Sequence, residues 1–288
     1  MSTIATARGL TRRFGTTRAL DNVDFTIERG RIVGLIGPNG AGKTTALRAL
    51  LGLTAYEGSL EVLGCDPHRQ RAQLMKRACF IADIAVLPRW LKVRNAIEFM
   101  SHTHPSFSPA KARAFLDKTS VRLDHKVKQL SKGMVAQFHL ALVMAIDAEF
   151  LVLDEPTLGL DLLYRKKFYE TLLNDYFDEE RTILVTTHQF EEVERILTDV
   201  MFLQTGRIVL DASVEDLGER YVEVLVAPAQ VEAARAVGAL YERQVLGKTL
   251  FLYEGRDREQ LAQFGELHTP SVSDIFVAKM SDPQDMAA

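Results

Sequence analysis

The stretch Gly37-Pro38-Asn39-Gly40-Ala41-Gly42-Lys43-Thr44 lies between an apolar run at residues 32–36 and a helix-forming run at residues 46–51. It fits the pattern G-x-x-x-x-G-K-[ST], in which glycines turn backbone N–H groups towards phosphate oxygens at a helix N-terminus. The pattern predicts a phosphate-binding loop that continues into Thr45. Lys43 would reach the β- and γ-phosphates, and the Thr44 hydroxyl would bind Mg²⁺. A glycine-rich structural turn is the alternative.

A second motif is the apolar run Phe150-Leu151-Val152-Leu153, which ends in Asp154 and Glu155. An apolar strand cannot bury two carboxylates without compensation, so both should emerge at its carboxyl end, where open α/β sheets bind ligands. Asp154 would then join the Mg²⁺ shell, and Glu155 would orient or deprotonate an attacking water. The alternative is an Asp-Glu pair that starts a helix.

A third motif, Leu130-Ser131-Lys132-Gly133-Met134, precedes an Ala- and Leu-rich run at residues 135–146. Ser131, Lys132 and the N–H groups around Gly133 would lie at a helix N-terminus, which is a favourable place for an anion. Read alone, the motif also fits an ordinary Ser N-cap.

The composition narrows the class of protein. Of the 288 residues 47% are hydrophobic and 25% charged, which is typical of a soluble globular protein, and the net charge of −3 gives no strong attraction to nucleic acid. We expect no membrane-spanning segment and no secretory signal. Cys65 and Cys79 lack metal-ligand spacing and are expected to be buried or idle thiols in a reducing cytoplasm, with a disulfide as the alternative.

The order of the runs predicts an α/β fold. Residues 84–148 are rich in Ala, Lys and Arg at helical spacing and indicate a helical insertion. Apolar runs at residues 150–153 and 183–186 flank a helical pattern at 162–176, which favours parallel strands with right-handed crossovers. We predict one domain at residues 1–215 and a small α+β unit at 221–288. This unit is expected to contain a helix at residues 230–241 and a last helix that begins at the capping box formed by Ser271 and Asp274.

Five elements occur in a specific order: the phosphate loop, the Ser131 segment, the carboxylate-ended strand, Gly159-Leu160-Asp161, and a strand that ends in Thr187-His188. In this order, residues 4–210 resemble the nucleotide-binding subunit of an ABC transporter. The resemblance implies a P-loop NTPase core with an antiparallel β subdomain and a helical insertion. It also implies head-to-tail dimerisation, with ATP held between the phosphate loop of one copy and the segment Ser131-Lys132-Gly133 of a second, identical or related copy.

The resemblance also assigns roles to single residues. Phe14 would stack on adenine, unless it is a core residue. Asp161 would lie at the dimer seam, and His188 would contact the γ-phosphate and take part in catalysis with Glu155 and Lys43. Three positions depart from the family pattern: Asp83 stands where Gln is usual, Lys132 replaces a Gly, and Met134 replaces a frequent Gln. A carboxylate at position 83 can bind Mg²⁺ but cannot donate a hydrogen bond to water.

These features predict an ATP-hydrolysing subunit that powers a separate transmembrane permease from the cytoplasmic face of the cell membrane and has no nucleic-acid partner. The C-terminal unit resembles ATPases that energise exporters of drugs or antibiotics, so export is favoured over import. Docking is expected near residues 83–93, through Leu87, Trp90 and Leu91, unless these side chains are buried in the helical insertion. The rival hypotheses are a soluble ABC ATPase and a nucleotide-sensing regulator.

Overall fold

The computed structural model describes residues 2–81, 87–158, 160, 162–187 and 193–281. The chain divides into two compact units. The first comprises Met1–Leu197 and Leu203–Ile208, and the second comprises Thr198–Phe202 and Val209–Ala288. Within these ranges, every helix is too short or too polar to span a lipid bilayer.

The strands are numbered in chain order. In the first unit they are β1 (Thr3–Phe14), β2 (Thr17–Glu28), β3 (Ile32–Ile36), β4 (Glu57–Val62), β5 (Ala78–Ile81), β6 (Phe150–Asp154) and β7 (Thr182–Thr187). The hairpin strands β8 (Asp199–Gln204) and β9 (Arg207–Ser213) are shared between the units. The second unit continues with β10 (Tyr221–Val226), β11 (Tyr241–Val245), β12 (Lys248–Glu254) and β13 (Gly265–His268).

The helices follow the same convention. The first unit contains α1 (Lys43–Leu50), α2 (Arg71–Leu74), α3 (Val93–Thr103), α4 (Pro109–Asp117), α5 (Lys132–Met144) and α6 (Leu162–Thr171). The second contains α7 (Val214–Arg220), α8 (Val231–Ala236), α9 (Arg258–Ala262) and α10 (Val272–Met280). Short 3₁₀ turns lie at Val127–Gln129, Glu194–Ile196 and Pro228–Gln230, and a π-helical turn at Leu172–Tyr176 extends α6.

The core of the first unit is a parallel array in the order β5-β6-β7-β3. Every residue of β3, β6 and β7 is buried, because these strands are covered on both faces, as their unbroken apolar runs predict. The carboxyl ends of parallel strands lie at the same edge, so Gly37, Glu155 and Thr187 are brought to one side of the sheet. A separate antiparallel sheet has the order β2-β1-β4.

The helical insertion predicted at residues 84–148 comprises α3, α4 and α5, as far as the structure describes it. Ser108 is the N-cap of α4, and its side chain accepts a hydrogen bond from the N–H of Lys111, with Pro109 in the first turn of the helix. Near the amino end of β6, the Glu149 carboxylate accepts hydrogen bonds from Arg77 Nη2 at 2.9 Å and Arg29 Nη2 at 3.0 Å. These two guanidinium groups connect distant parts of the first unit.

The second unit is an antiparallel sheet in the order β11-β12-β10-β13. One face of the sheet packs against the helices α8 and α9 through the cluster of Val222, Val224, Val226, Ala234, Phe251, Tyr253 and Leu261. The predicted start of the last helix is confirmed, since Ser271 Oγ accepts a hydrogen bond from the N–H of Asp274 at 3.0 Å. The helix predicted at residues 230–241 is shorter than expected, because Gly238 adopts φ +87° and the chain enters β11 at Tyr241.

Candidate nucleotide-binding site

The phosphate loop and the two carboxylates at the carboxyl end of β6 line one cavity of about 410 Å³ in the first unit. The lining residues are Ala19, Asn39, Gly40, Ala41, Gly42, Lys43, Thr44, Thr45, Asp154, Glu155 and Leu158. Two motifs that are far apart in the sequence therefore meet in the fold. They meet because β3 and β6 both pair in parallel with β7 and end at the same edge.

Gly42 shows why the loop requires glycine. Its φ of +112° is a conformation that L side chains rarely adopt, and a Cβ at this position would lie 2.3 Å from the carbonyl oxygen of Ala19. Gly42 is also the N-cap of α1, and the residues of the first turn of that helix line the cavity. The positive end of the helix dipole is therefore available to an anion in the cavity.

Lys43 is the buried cation of the site, with only 8% of its surface exposed. Its Nζ donates hydrogen bonds to the carbonyl oxygens of Gly37 at 2.7 Å and Pro38 at 3.2 Å. Burial lowers the pKa of Lys43, and the nearby carboxylates of Glu155 and Asp154 oppose that shift. The ammonium group is thus held by loop carbonyls on one side and lies within the field of the two carboxylates.

Asp154 is held in place from the neighbouring strand. Its carboxylate is buried and accepts a hydrogen bond from Thr186 Oγ1 at 2.7 Å, and the same hydroxyl oxygen accepts one from the N–H of Glu155 at 3.2 Å. Thr186 lies opposite Asp154 in the β6–β7 register. No role for Thr186 was expected from the sequence, because its position beside Asp154 follows only from strand register.

The donor set of this cavity is compatible with Mg²⁺. Thr44 and Asp154 line the same cavity, and the hydroxyl and carboxylate oxygens of these residue types are hard ligands. Mg²⁺ bound beside nucleotides usually has one or two protein oxygens as ligands and completes its octahedron with phosphate oxygens and water. The described residues contain no group of three or more His, Cys, Asp or Glu side chains that could hold a metal by themselves.

Glu155 has a strained backbone. Its φ of +49° lies in the left-handed region, which is uncommon outside glycine and costs on the order of 1–3 kcal/mol. Two backbone hydrogen bonds secure the turn, from Glu155 N–H to Thr186 O at 3.2 Å and from Leu158 N–H to Glu155 O at 3.1 Å. The alternative of a helix start is wrong at this position, because the chain turns here and α6 begins only at Leu162.

The Ser131 segment lies at the start of α5, as predicted. Ser131 is the N-cap residue, and its Oγ accepts a hydrogen bond from the N–H of Met134 at 3.2 Å. Ser131 and Lys132 are exposed, whereas Gly133 lies against the ring of Tyr164 in α6. None of the three motif residues lines the 410 Å³ cavity of the same chain. The contact with Tyr164 is tertiary and has no signal in the local sequence.

Phe14 is not a core residue, since 50% of its surface is exposed. It ends β1, and the guanidinium carbon of Arg12 lies 4.5 Å from the centre of its ring. An exposed aromatic ring with a cation on one face can still stack on a second flat group. Nothing in the sequence motifs singled out Arg12 as its partner.

Three predicted site residues, Asp83, Asp161 and His188, lie outside the residues that the structure describes. Their predicted roles stay predictions. Of the predicted docking side chains, Trp90 is 71% exposed, whereas Leu87 and Leu91 are half-buried.

Similarity to known proteins extends along most of the chain. Residues 20–158 match the family model described as ABC transporter. The chain is 32% identical over 295 aligned positions to the Nod factor export ATP-binding protein I of Cupriavidus metallidurans, with 96% of this chain and 97% of that protein covered. It is also 32% identical over 247 positions to the daunorubicin resistance ATP-binding protein DrrA3 of Streptomyces coeruleorubidus, with 82% and 78% covered.

Solved structures agree on the fold. An ATP-binding subunit of an ABC transporter superposes with a TM-score of 0.66 at 24% identity, over 75% of this chain and 92% of that one. The cbiO1 protein of Clostridium perfringens, part of the ABC transporter complex cbiONQ, superposes with a TM-score of 0.65 at 21% identity, over 82% and 95%. These matches show the α/β ATPase fold with its parallel core and antiparallel sheets. Because the sequence relatives are aligned over most of their own length, this chain belongs to the ATP-binding subunits of ABC transporters and is an ATPase.

Proposed function

We propose that ATP hydrolysis by this chain drives export of a small molecule through a separate membrane permease. Two relatives with about a third of their residues identical are named for Nod factor export and for daunorubicin resistance. The alignment with the first of these covers 97% of that protein, so it extends beyond the ATPase domain into the C-terminal unit. The observation that supports the site most directly is the cavity that joins the phosphate loop to Asp154 and Glu155.

In the proposed site the triphosphate lies over the loop and the N-terminus of α1. Lys43 exchanges its hydrogen bonds to Gly37 and Pro38 for the β- and γ-phosphates, because phosphate oxygens are stronger acceptors than carbonyls. Thr44 and Asp154 would hold Mg²⁺, which neutralises charge on the phosphates. Thr186 keeps the Asp154 carboxylate aimed at that position through its 2.7 Å hydrogen bond.

Glu155 is proposed as the general base. Its carboxylate takes a proton from a water molecule while the water oxygen attacks the γ-phosphorus, and ADP departs as the leaving group. The left-handed turn at Glu155 fixes the direction in which its side chain leaves the strand. The strained turn would therefore orient the general base.

A second copy of the chain, identical or related, is proposed to complete the site. Ser131 and Lys132 are exposed at a helix N-terminus and do not line the cavity of their own chain, so they are available to a nucleotide bound by another copy. Closing a second anion-binding helix end over the γ-phosphate excludes water and strengthens each charge contact. Phe14 would stack on the adenine, with Asp161 at the seam and His188 near the γ-phosphate.

The permease is proposed to dock beside α3, at the cytoplasmic face of the membrane. Trp90 is 71% exposed and Phe99 is 64% exposed, and exposed aromatic side chains of this size are typical anchors of protein interfaces. A Trp90→Ala variant should retain the ATPase rate of the isolated chain but lose the stimulation that the permease gives after reconstitution. An unchanged stimulation would place the docking surface elsewhere.

The test of the catalytic assignment compares three variants. Lys43→Ala should abolish ATP binding, whereas Arg48→Ala, an exposed position on the same helix, should not. Glu155→Gln should bind ATP, hydrolyse it about 10²–10⁴ times more slowly, and accumulate as a dimer in size-exclusion chromatography. A wild-type chain that binds ATP without turnover, alone or with the permease, would favour the nucleotide sensor instead.

A further inference from the structure

A second cavity, of about 230 Å³, lies in the first unit between α4, α5 and α6 and is distinct from the nucleotide cavity. Its inner wall is apolar and includes the buried side chains of Leu140 and Phe168. The π-helical turn Leu172–Tyr176 contributes Asp175 to the rim. Such turns are rare and often occur at functional sites. The motifs assigned above give this cavity no role.

One side chain that lines the cavity contains a buried polar atom without a hydrogen-bond partner among the described residues. Gln137 lines the cavity, and its Oε1 is buried and accepts no hydrogen bond from any residue that the structure describes. A buried acceptor without a donor destabilises the folded chain. A ligand that turns the Gln137 amide towards the cavity and supplies an O–H or N–H group would satisfy this acceptor.

The rim has a net positive charge. Lys118 and Lys167 contribute ammonium groups and Asp175 contributes one carboxylate, and all three side chains are exposed. No ion pair joins any of the three to another group within the described part of the chain, although the neighbouring Lys166 pairs with Glu170. A ligand with one carboxylate would therefore meet complementary charge at the rim.

The cavity volume limits the size of its occupant. A dry cavity of about 150 Å³ accommodates benzene, so 230 Å³ has room for one aromatic ring with a short side chain. We propose that this cavity binds a small hydroxylated aromatic carboxylic acid. The ring would lie on Leu140 and Phe168, the hydroxyl would donate to Gln137 Oε1, and the carboxylate would lie between Lys118 and Lys167.

Tyr164 connects this cavity to the Ser131 segment. It lines the cavity, and its ring lies so close to Gly133 that a Cβ there would be 2.8 Å from the ring carbons Cε2 and Cζ. A bound acid would restrict the ring and, through it, the backbone at the N-terminus of α5. Occupancy should therefore change the rate of ATP hydrolysis, a step that rests on the proposed role of Ser131 and Gly133.

The binding test uses 3-(4-hydroxyphenyl)propanoate as the probe and isothermal titration calorimetry of the full chain. A ligand of this size should bind with a Kd of about 0.1 mM. Ala136→Leu, which fills the cavity from α5, should weaken binding at least tenfold. Lys167→Met should weaken it severalfold, and the matched variant Lys166→Met, one residue away and outside the lining, should not.

The hydroxyl assignment has its own control. 3-Phenylpropanoate, which lacks the hydroxyl, should bind the wild-type chain more weakly than the probe, and Gln137→Leu should abolish that difference. Equal binding of the probe to wild type and Ala136→Leu, or no binding at millimolar concentration, would overturn the proposal. If Ala136→Leu fails to fold, equal affinities of Lys167→Met and Lys166→Met would overturn it instead.

The regulatory step is tested by ATPase assay. Saturating probe should change the hydrolysis rate at least twofold in the wild type and leave Ala136→Leu unaffected. Binding without any rate change would overturn the link through Tyr164. A wild-type chain that hydrolyses no ATP even without the probe would instead count against the proposed function.

Discussion

Alanine variants of three glycines in the phosphate loop distinguish two causes of lost stability, backbone strain and steric clash, that usually occur together. Gly40 has φ +83°, and no atom lies within 4 Å of the point that a Cβ would occupy, so an alanine there meets backbone strain alone. Gly37 has an ordinary φ, but a Cβ would lie 2.2 Å from the carbonyl oxygen of Leu203, so an alanine there meets a clash alone. Gly42 combines φ +112° with a Cβ position 2.3 Å from the carbonyl oxygen of Ala19.

The magnitudes follow from this geometry. Left-handed backbone costs an L residue about 1–2 kcal/mol, so Gly40→Ala should lower the free energy of unfolding by that amount. Relieving the contact at Gly37 requires the backbone to move by about 1 Å, and overpacking of this kind costs about 1–3 kcal/mol. Gly42→Ala incurs both costs and should lose about 2–5 kcal/mol.

The assay is urea unfolding of the nucleotide-free chain followed by far-ultraviolet circular dichroism, with thermal melts as a second measurement. Each 1 kcal/mol should lower Tm by about 2–4 °C in a chain of this size. The expected order of stability is wild type, Gly40→Ala, Gly37→Ala and Gly42→Ala. If Gly40→Ala were as destabilised as Gly42→Ala, the close approach of the loop to Ala19 would not exist in solution.

Four further variants test single contacts in the first unit. Glu149→Gln should lower the free energy of unfolding at neutral pH by about 1 kcal/mol after allowance for solvent screening, because hydrogen bonds from its two arginines lower the pKa of this carboxyl to about 2 from 4.5. The loss should be full above pH 4.5 and vanish as the pH falls towards 2, so acid urea titrations of variant and wild type should converge. Thr186→Val should raise the Mg²⁺ concentration for half-maximal ATPase rate about tenfold, because Asp154 loses its hydrogen bond. Ser131→Ala and Ser108→Ala should each lose about 1 kcal/mol as N-cap variants, but only Ser131→Ala should also slow ATP hydrolysis.

A specific result would contradict each of these predictions. If the difference in the free energy of unfolding between Glu149→Gln and wild type stayed constant from neutral pH down to pH 2, the ion pairs would not be its cause. Unchanged Mg²⁺ dependence in Thr186→Val would show that Asp154 is oriented by other contacts. Equal ATPase rates for Ser131→Ala and Ser108→Ala would show that Ser131 acts only as a helix N-cap.

Local patterns were sufficient to predict the buried strands β3, β6 and β7 and the phosphate loop. Glycines, a lysine and a flanking apolar run predict the loop by themselves, and the apolar run before Asp154 and Glu155 favours a buried strand with two carboxylates at its carboxyl end. The hydrogen bond from Thr186 to Asp154 depends on which residues face each other across β6 and β7. That register is a tertiary property, so the sequence offered no signal for it.

Other structural features were not predicted from the sequence for different physical reasons. The helical pattern at residues 162–176 hid a change from α6 to a π-helical turn at Leu172, since hydrophobic spacing does not distinguish the two. The shortened helix in the second unit did have a signal, because Gly238 is a typical residue at a helix end. The packing of Tyr164 on Gly133 follows from the approach of α6 to α5, which no local pattern predicts.

The β8–β9 hairpin is divided between the two units, and this division limits how the chain can be cut or recombined. Thr198–Phe202 groups with the second unit, but the following residues Leu203–Ile208 group with the first. The polypeptide therefore alternates between the two units within this hairpin. A cut at any single position separates at least one unit from one of its own segments. Simple gene truncation or terminal fusion would not release an intact accessory module. Exchanging this module between related proteins would require recombination on both sides of the hairpin tip.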